Sequence, residues 1–221
     1  MASPSVSNLF AQGSNQTNLL PKESAPYGAS YEEHIKNYWK LMLSLPIDQN
    51  PMEDTTGVKC TNGQDLSNAS VFYFSGGFGG VAERTCKIPA GLGVFIPIIT
   101  VEASLAESPK STIQDLHQIA KNDQDHVTSL YLKINDKEYS DQELRNFRTH
   151  TKEFDVNFPA NAIFGASAGP SVAVADGYYV MTPPLTEGNY TINYKGSLVC
   201  LTPDCLEPTF VGEGTLKLIV E

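Results

Sequence analysis

The sequence predicts a mainly β protein: a single-domain β-sandwich of the jelly-roll or Ig-like kind, with two or three short helices in its connections. Short apolar segments that alternate with polar residues recur along the chain, separated by Gly, Pro and Asn turns. A hydrophobic fraction of 41% with 18% charged residues is typical of a globular core. Since no repeat or linker divides the 221 residues, we expect an extended N-terminal arm over 1–29 and one sandwich domain over 30–221.

Three segments carry helix signals. A capping box at Ser30 predicts a helix that ends before Pro46, because the capping side chains satisfy free amides at a helix start. Ser108-Pro109 predicts the start of a second helix, which runs to about Lys121. A further capping box at Ser140 predicts a brief helical turn.

The other regular elements are strands, bounded by turn residues. Asn135-Asp136 and Asp176-Gly177 predict hairpin turns. Pro97 predicts an edge position or a bulge, because proline lacks the amide that a central strand needs. Strands are predicted over 70–75, 93–101, 127–134, 138–139, 153–158, 171–175, 178–181, 189–199 and 215–220.

Charge and hydropathy exclude two classes of partner. The net charge is −10, and the 15 Lys and Arg residues are scattered singly, whereas binding to nucleic acid needs clustered cations. The longest apolar run, 91–101, is too short to span a bilayer and contains a proline. Residues 1–20 lack the basic and apolar regions of a signal peptide, so an extracellular location requires that a signal has been removed.

The four cysteines form an even set, which favours disulfides. Cys200 and Cys205 bracket a Pro-Asp turn, where a local bridge is plausible. Cys60 and Cys86 would then pair and close a loop of about 26 residues. Other pairings, and a zinc ion held by four thiolates, stay open as alternatives.

Asn-x-Ser/Thr sequons provide a second sign of secretion. They occur at Asn15, Asn68 and Asn189, and such sites are glycosylated in secreted proteins. Together with the even cysteine count, they predict an extracellular or cell-surface glycoprotein rather than a cytoplasmic protein.

Two motifs resemble catalytic or phosphate-binding signatures but lack the context that those require. Gly76–Gly80 has neither the Lys-Ser/Thr of a phosphate loop nor a following helix, so we interpret it as a close-packed bend, with a ligand cradle as the alternative. Ser167 lies in a G-x-S-x-G sequence, but Pro170 and a strand follow it where a nucleophile elbow requires a helix.

Acidic loops provide the metal prediction. Asp48 and Asp54 lie in one oxygen-rich loop, and Asp123 and Asp125 lie in another. Carboxylate oxygens are ligands that calcium accepts. Neither loop has EF-hand spacing, and solvated acidic surface is the alternative. The histidines follow no zinc or iron pattern, so no other cofactor is predicted.

The candidate binding residues surround the glycine loop. Asp54, Phe78, Arg84 and Glu102 are candidates to meet there, and Tyr178 is a candidate aromatic for glycan or small-molecule binding on the sandwich face or at the loop tips. An open pocket at this place would indicate function, whereas a buried ion-pair network would indicate scaffolding.

Several motifs resemble those of a functionally uncharacterised family of secreted bacterial and archaeal proteins. The similarity covers about residues 38–200 and implies secretion without implying an activity. It rests on W-x-L-x-L-S-L-P at 39–46, D-x-T-G-x-x-C at 54–60, F-G-G at 78–80 and R-T-C-x-I-P-A-G at 84–91.

The leading functional hypothesis is a non-enzymatic sandwich that assembles or binds outside the cell. Its partner would be another copy or a different cell-surface component, and residues 8–20 could add as a strand to a neighbouring sheet. A carbohydrate- or small-molecule-binding module is one alternative. The other is a hydrolase that uses carboxylates with Arg84, drawn from Glu53, Asp54, Glu83 and Glu102.

Overall fold

The computed structural model describes residues 18–199 and 209–221, which contain ten strands, three α-helices and four short 3-10 turns. The helices are α1 (Tyr31–Ser44), α2 (Ile113–Asp125) and α3 (Asp141–Arg145). The strands are β1 (Val71–Tyr73), β2 (Gly80–Ile88), β3 (Gly93–Ser104), β4 (Val127–Ile134), β5 (Lys137–Tyr139), β6 (Arg148–His150), β7 (Phe154–Phe158), β8 (Gly169–Met181), β9 (Gly188–Val199) and β10 (Thr209–Val220).

Within the described ranges the strands form two five-stranded sheets. The first has the order β1-β3-β8-β6, with β7 also pairing with β8, and the second has the order β2-β10-β9-β4-β5. The β1–β3 and β2–β10 pairs are parallel, and the other pairs are antiparallel. The prediction of a mainly β fold with helices in the connections is confirmed, and the two sheets are consistent with a sandwich.

One apolar core fills the space between the sheets. Phe72 and Val180 of the first sheet share it with Ile192 and other residues of the second. Gly196 lets the sheets approach closely, because a Cβ at this position would lie 2.4 Å from the Cβ of Ile99.

Helix α1 covers the outer face of the first sheet. The Ser30 side chain caps its first turn, as the sequence predicts. Its apolar face, which includes Ile35, Trp39 and Met42, is buried in a second core. The Trp39 indole donates a hydrogen bond of 3.0 Å to the Tyr179 hydroxyl on β8, which fixes the helix to the sheet.

The predicted start of the second helix is wrong. Ser108-Pro109 lies in a turn, and α2 begins after Thr112. Thr112 and Asp115 form a capping box, in which the side chain of each residue accepts a hydrogen bond from the backbone amide of the other. This pair provides hydrogen-bond acceptors for two backbone amides that would otherwise be free. A proline at the first helical position only removes one such amide.

The predicted hairpin at Asp176-Gly177 is also wrong, because β8 runs through it without a turn. The buried Asp176 carboxylate pairs with Arg148 on β6, at 2.8 Å. A Cβ on Gly177 would lie 2.8 Å from Thr100 on β3. The glycine is therefore needed because β3 and β8 pack too closely here for a side chain.

The described part of the predicted arm lies against the body. The Leu20 amide donates to the Met181 carbonyl at 2.8 Å, and the Tyr27 hydroxyl donates to the Thr182 carbonyl at 2.7 Å. Residues 18–29 are therefore fixed at the end of β8. Residues 1–17, which hold most of the predicted arm, lie outside the described residues.

Candidate ligand-binding site

A pocket of about 420 Å³ opens at one edge of the sandwich. Strand β1 pairs with β3 only as far as Phe95, and in the described residues no strand covers the outer edge of β3 beyond it. The chain leaves β1 at this point and crosses through Gly76–Gly80 to β2 in the other sheet. The pocket forms under this crossing, and its wall includes Pro97 to Glu102 of β3.

Arg84 forms part of the pocket wall from a core-facing position of β2. Its side chain is only 2% exposed, and the guanidinium lies over the Phe74 ring, 5.9 Å from the centroid. Nε donates to the main-chain oxygen of Asp54, and Nη1 donates to the Tyr194 hydroxyl at 3.3 Å. A Cβ on Gly77 would lie 3.0 Å from Nη2, so the glycine loop makes room for this cation.

The Asp54 carboxylate is turned away from Arg84. It accepts hydrogen bonds from the amides of Thr56 and Lys59, at 2.8 and 2.7 Å. Burial opposes its ionisation, but these hydrogen bonds outweigh burial and lower the pKa of Asp54. Asp54 therefore shapes the loop before Cys60 and contacts Arg84 through its backbone.

Glu102, near the end of β3, also contributes to the pocket wall. Less than 1 Å² of either carboxyl oxygen is exposed, and neither oxygen accepts a hydrogen bond of normal geometry from a described residue, although Glu107 and Ser104 lie close enough to interact with it. Burial raises the pKa of Glu102 well above its usual range, and the neighbouring Glu107 carboxylate raises it further.

Glu107, on the turn after β3, is the second carboxyl of this pair. Its Oε2 accepts a hydrogen bond of 2.5 Å from the Ser104 hydroxyl. Burial raises the pKa of Glu107 too, although the Ser104 hydrogen bond offsets part of the effect. Two neighbouring, largely buried carboxyls with raised pKa values are an arrangement found at ligand and catalytic sites.

Three phenylalanines surround the mouth of the pocket. Phe78, Phe164 and Phe210 are 41%, 44% and 39% exposed, and Val81 beside them is also exposed. The rings of Phe78 and Phe164 meet edge to face, with centroids 5.1 Å apart. These four residues make up half of the eight large hydrophobic residues exposed in the described ranges, so apolar surface is concentrated here.

The structure brings three of the five predicted binding residues into this pocket. Phe78, Arg84 and Glu102 contribute to its wall, whereas Asp54 lies behind Arg84. Tyr178 is buried in the core between the sheets, away from the pocket.

Glu107, Phe164 and Phe210 also contribute to the pocket, although the sequence does not predict them as site residues. They come from three separate connections or strand ends, and no local pattern links them. A short Ser-x-x-Glu spacing from Ser104 to Glu107 was the one signal available for the acid pair.

The carboxylates of the proposed hydrolase are not gathered into one set. Glu53 and Glu102 contribute to the pocket wall, but Glu83 points outward from β2 and pairs with Lys217 at 2.5 Å.

The predicted calcium ligands are separated or already engaged. Asp48 lies on an exposed turn, Asp123 is half-buried, and Asp125 pairs with Lys121 and Arg148. Within residues 18–199 and 209–221 no three His, Cys, Asp or Glu side chains are grouped as a metal site would need.

The Cys60–Cys86 disulfide is present, with the two Cα atoms 6.1 Å apart. It joins the loop that follows α1 to β2, next to Arg84. Asn68 and Asn189 are exposed. The predictions for Cys200, Cys205 and Asn15 fall outside the described residues.

Comparison with known proteins adds no relative. No protein-family model matches the chain, and neither a curated protein nor a solved structure matches it. The resemblance to secreted bacterial and archaeal proteins stays a prediction. None of the helices in the described ranges has the length and apolar character needed to cross a membrane.

Proposed function

We propose that the protein is a non-enzymatic binding protein that takes up a small amphipathic ligand in the pocket between Arg84 and Glu102. The observation that carries this proposal is the Glu102 carboxyl, which is buried in the pocket wall and accepts no hydrogen bond of normal geometry from the described residues. A buried polar group without a hydrogen bond destabilises the fold by about 1–3 kcal/mol. A bound molecule that supplies the missing donor removes this cost.

The size and lining of the pocket support the same function. Its volume of about 420 Å³ lies within the roughly 300–1,000 Å³ of small-molecule sites. Such sites combine apolar walls with a few convergent polar groups, and here the phenylalanines at the mouth lead inward to Glu102 and Arg84. Exposed apolar surface that is concentrated at one place commonly marks a binding site.

An uncharged fluorescent probe, N-phenyl-1-naphthylamine, tests for the pocket directly. We expect saturable binding with one probe molecule per chain. Phe164→Ala should bind the probe roughly tenfold more weakly, because the variant lacks the half-exposed ring that would contact the probe.

The matched control for this test is Ile119→Ala. The exposed fraction of Ile119 is 40%, close to the 44% of Phe164. Ile119 lies on α2 and does not line the pocket. The proposal fails if the probe does not bind, or if both variants weaken its binding equally.

We also propose an extracellular or cell-surface location. The Cys60–Cys86 bond supports it, because disulfides persist in oxidising compartments and are rare in the cytosol. The two exposed sequons, Asn68 and Asn189, are accessible for glycosylation. Self-association through residues 8–20 remains a prediction, since most of that segment lies outside the described residues.

A further inference from the structure

Glu102 and Glu107 form an acid pair without a basic partner. In the described part of the chain, neither carboxylate makes an ion pair with Lys, Arg or His. Other buried carboxylates of this protein are compensated: Asp176 pairs with Arg148, and Asp54 accepts backbone amides. The pair therefore has no positively charged partner among the described residues, and the Ser104 hydroxyl is the one donor within hydrogen-bond distance that the described residues offer to Glu107.

We propose that the pocket takes an amphipathic amine, with its ammonium group at Glu102 and Glu107 and its apolar part under Phe78, Phe164 and Phe210. This inference rests on the proposed function and assigns the chemical class of its ligand. An ammonium group carries three donors and no acceptor, which is the complement of two carboxylates. Hydrogen bonds between two charged groups are about twice as strong as neutral ones.

The charges around the pocket favour a cation. Glu53, Glu102, Glu107 and Glu213 contribute to its wall against one guanidinium, that of Arg84. Glu213 pairs with Lys195 at 2.6 Å, which leaves an excess of negative charge. The phenylalanine rings at the mouth then provide the apolar contacts for the rest of the ligand.

Arg84 could favour an anionic ligand instead of a cation, since a buried guanidinium can bind an anion. Two observations weaken this alternative. Arg84 already donates to Asp54 and Tyr194 and lies over the Phe74 ring. Its guanidinium also lies against Gly77 of the glycine loop, whereas Glu102 lies near the end of β3. An anionic ligand is therefore an outcome that the experiment must distinguish.

The acid pair makes amine binding dependent on pH. Because the pKa of Glu102 is raised, the free pair retains a proton that an incoming ammonium group displaces. The other titratable groups that face the pocket are Tyr38, Tyr194, Glu53, Glu213 and Arg84. Affinity for an amine should increase as pH rises from 5 to 8, with proton release on binding.

Three phenyl probes with different charge test the class of ligand by isothermal titration calorimetry at pH 7.5. They are 2-phenylethylamine, 2-phenylethanol and 3-phenylpropionate. We expect the amine to bind at least tenfold more tightly than the alcohol and the acid to bind most weakly. Titration in two buffers with different ionisation enthalpies should show protons released with the amine and none with the alcohol.

Variants then locate the effect. Glu102→Gln and Glu107→Gln should each remove most of the preference for the amine while leaving affinity for the alcohol unchanged. Glu83→Gln, on the outward face of β2, should keep the wild-type preference. Since the amide is close in shape to the acid, loss of the preference with intact alcohol binding excludes misfolding.

The outcomes separate the two proposals. Tighter binding of the acid, or an amine preference that survives in both Gln variants, would overturn the amine class. If N-phenyl-1-naphthylamine binds the pocket but no phenyl probe does, the amine class again fails. If that probe does not bind either, the binding function itself fails.

Discussion

Burial of the Glu102 carboxyl destabilises the fold when the carboxyl is ionised. The folded-state pKa of this carboxyl lies above its value in an unfolded chain, so the folded protein holds the proton more tightly. The stability that depends on this proton is present at pH values below the unfolded pKa. It is lost as the pH rises toward the folded value, because the carboxyl must then either stay protonated or ionise without a partner.

We therefore expect Glu102→Gln to raise the free energy of unfolding at pH 8, by about 1–3 kcal/mol. At pH 4 the difference should nearly vanish, because the wild-type carboxyl is then protonated in both states. Urea unfolding of both proteins at the two pH values measures this. Glu83→Gln, an exposed carboxylate, should change stability little at either pH. A stability gain that is the same at pH 4 and pH 8 would contradict the explanation.

At the scale of elements, glycines decide how closely strands pack. Gly196 on β9 faces Ile99 on β3 across the core, and a Cβ would lie only 2.4 Å from the Ile99 Cβ. Gly196→Ala should lower the free energy of unfolding by about 1–3 kcal/mol, because the added methyl group forces the sheets apart. Thermal and urea unfolding provide the measurement.

Gly212 is the matched control, because it lies directly opposite Gly196 in the β9–β10 ladder. A Cβ there would meet Phe210 at 3.5 Å, which is an ordinary contact. Gly212→Ala should lower the free energy of unfolding much less than Gly196→Ala does. Equal losses in the two variants would show that backbone freedom, and not sheet spacing, governs these positions.

The sequence predicted those elements whose local pattern matches their environment. The helix from Ser30 and the strand 127–134 were predictable because capping and alternation act over a few residues. Strand β2 was not, since its core-facing positions include Arg84 while Val81 is exposed. The continuity of β8 through Gly177 depends on contacts with β3, which is distant along the chain.

The site follows the same rule. Phe78 could be proposed because it lies within the glycine loop, Arg84 because it follows that loop, and Glu102 because it follows an apolar strand. Phe164 and Phe210 could not, because long-range packing alone brings their segments to the pocket mouth. Tyr178 was misplaced because an alternating strand does not reveal which of its faces is covered.

For the whole molecule, the Cys60–Cys86 bond joins the loop after α1 to the second sheet. The bonded residues are 26 positions apart, and a closed loop of this length stabilises the fold by roughly 3–4 kcal/mol in the chain-entropy treatment. Cys60→Ala with Cys86→Ala should therefore lower the free energy of unfolding by about that amount, as measured by urea unfolding.

Thiol counting provides the control for this prediction. Protein from its natural source, denatured without reductant, should show no alkylation at Cys60 or Cys86 in peptide maps. Alkylated Cys60 or Cys86, or a double variant as stable as the wild type, would count against the bond and against the extracellular location that it supports.

The position of β10 determines when the second sheet can form. This strand lies between β2 and β9, so among the described strands β2 has no partner in its own sheet until β10 has been synthesised. Lys217 and Glu83, which pair across the two strands, are 134 positions apart. Closing so long a loop is slow, because its entropy is lost before the contacts form. During translation β2 therefore remains an edge without its β10 partner, and an unpaired edge of this kind favours aggregation until β10 has been made.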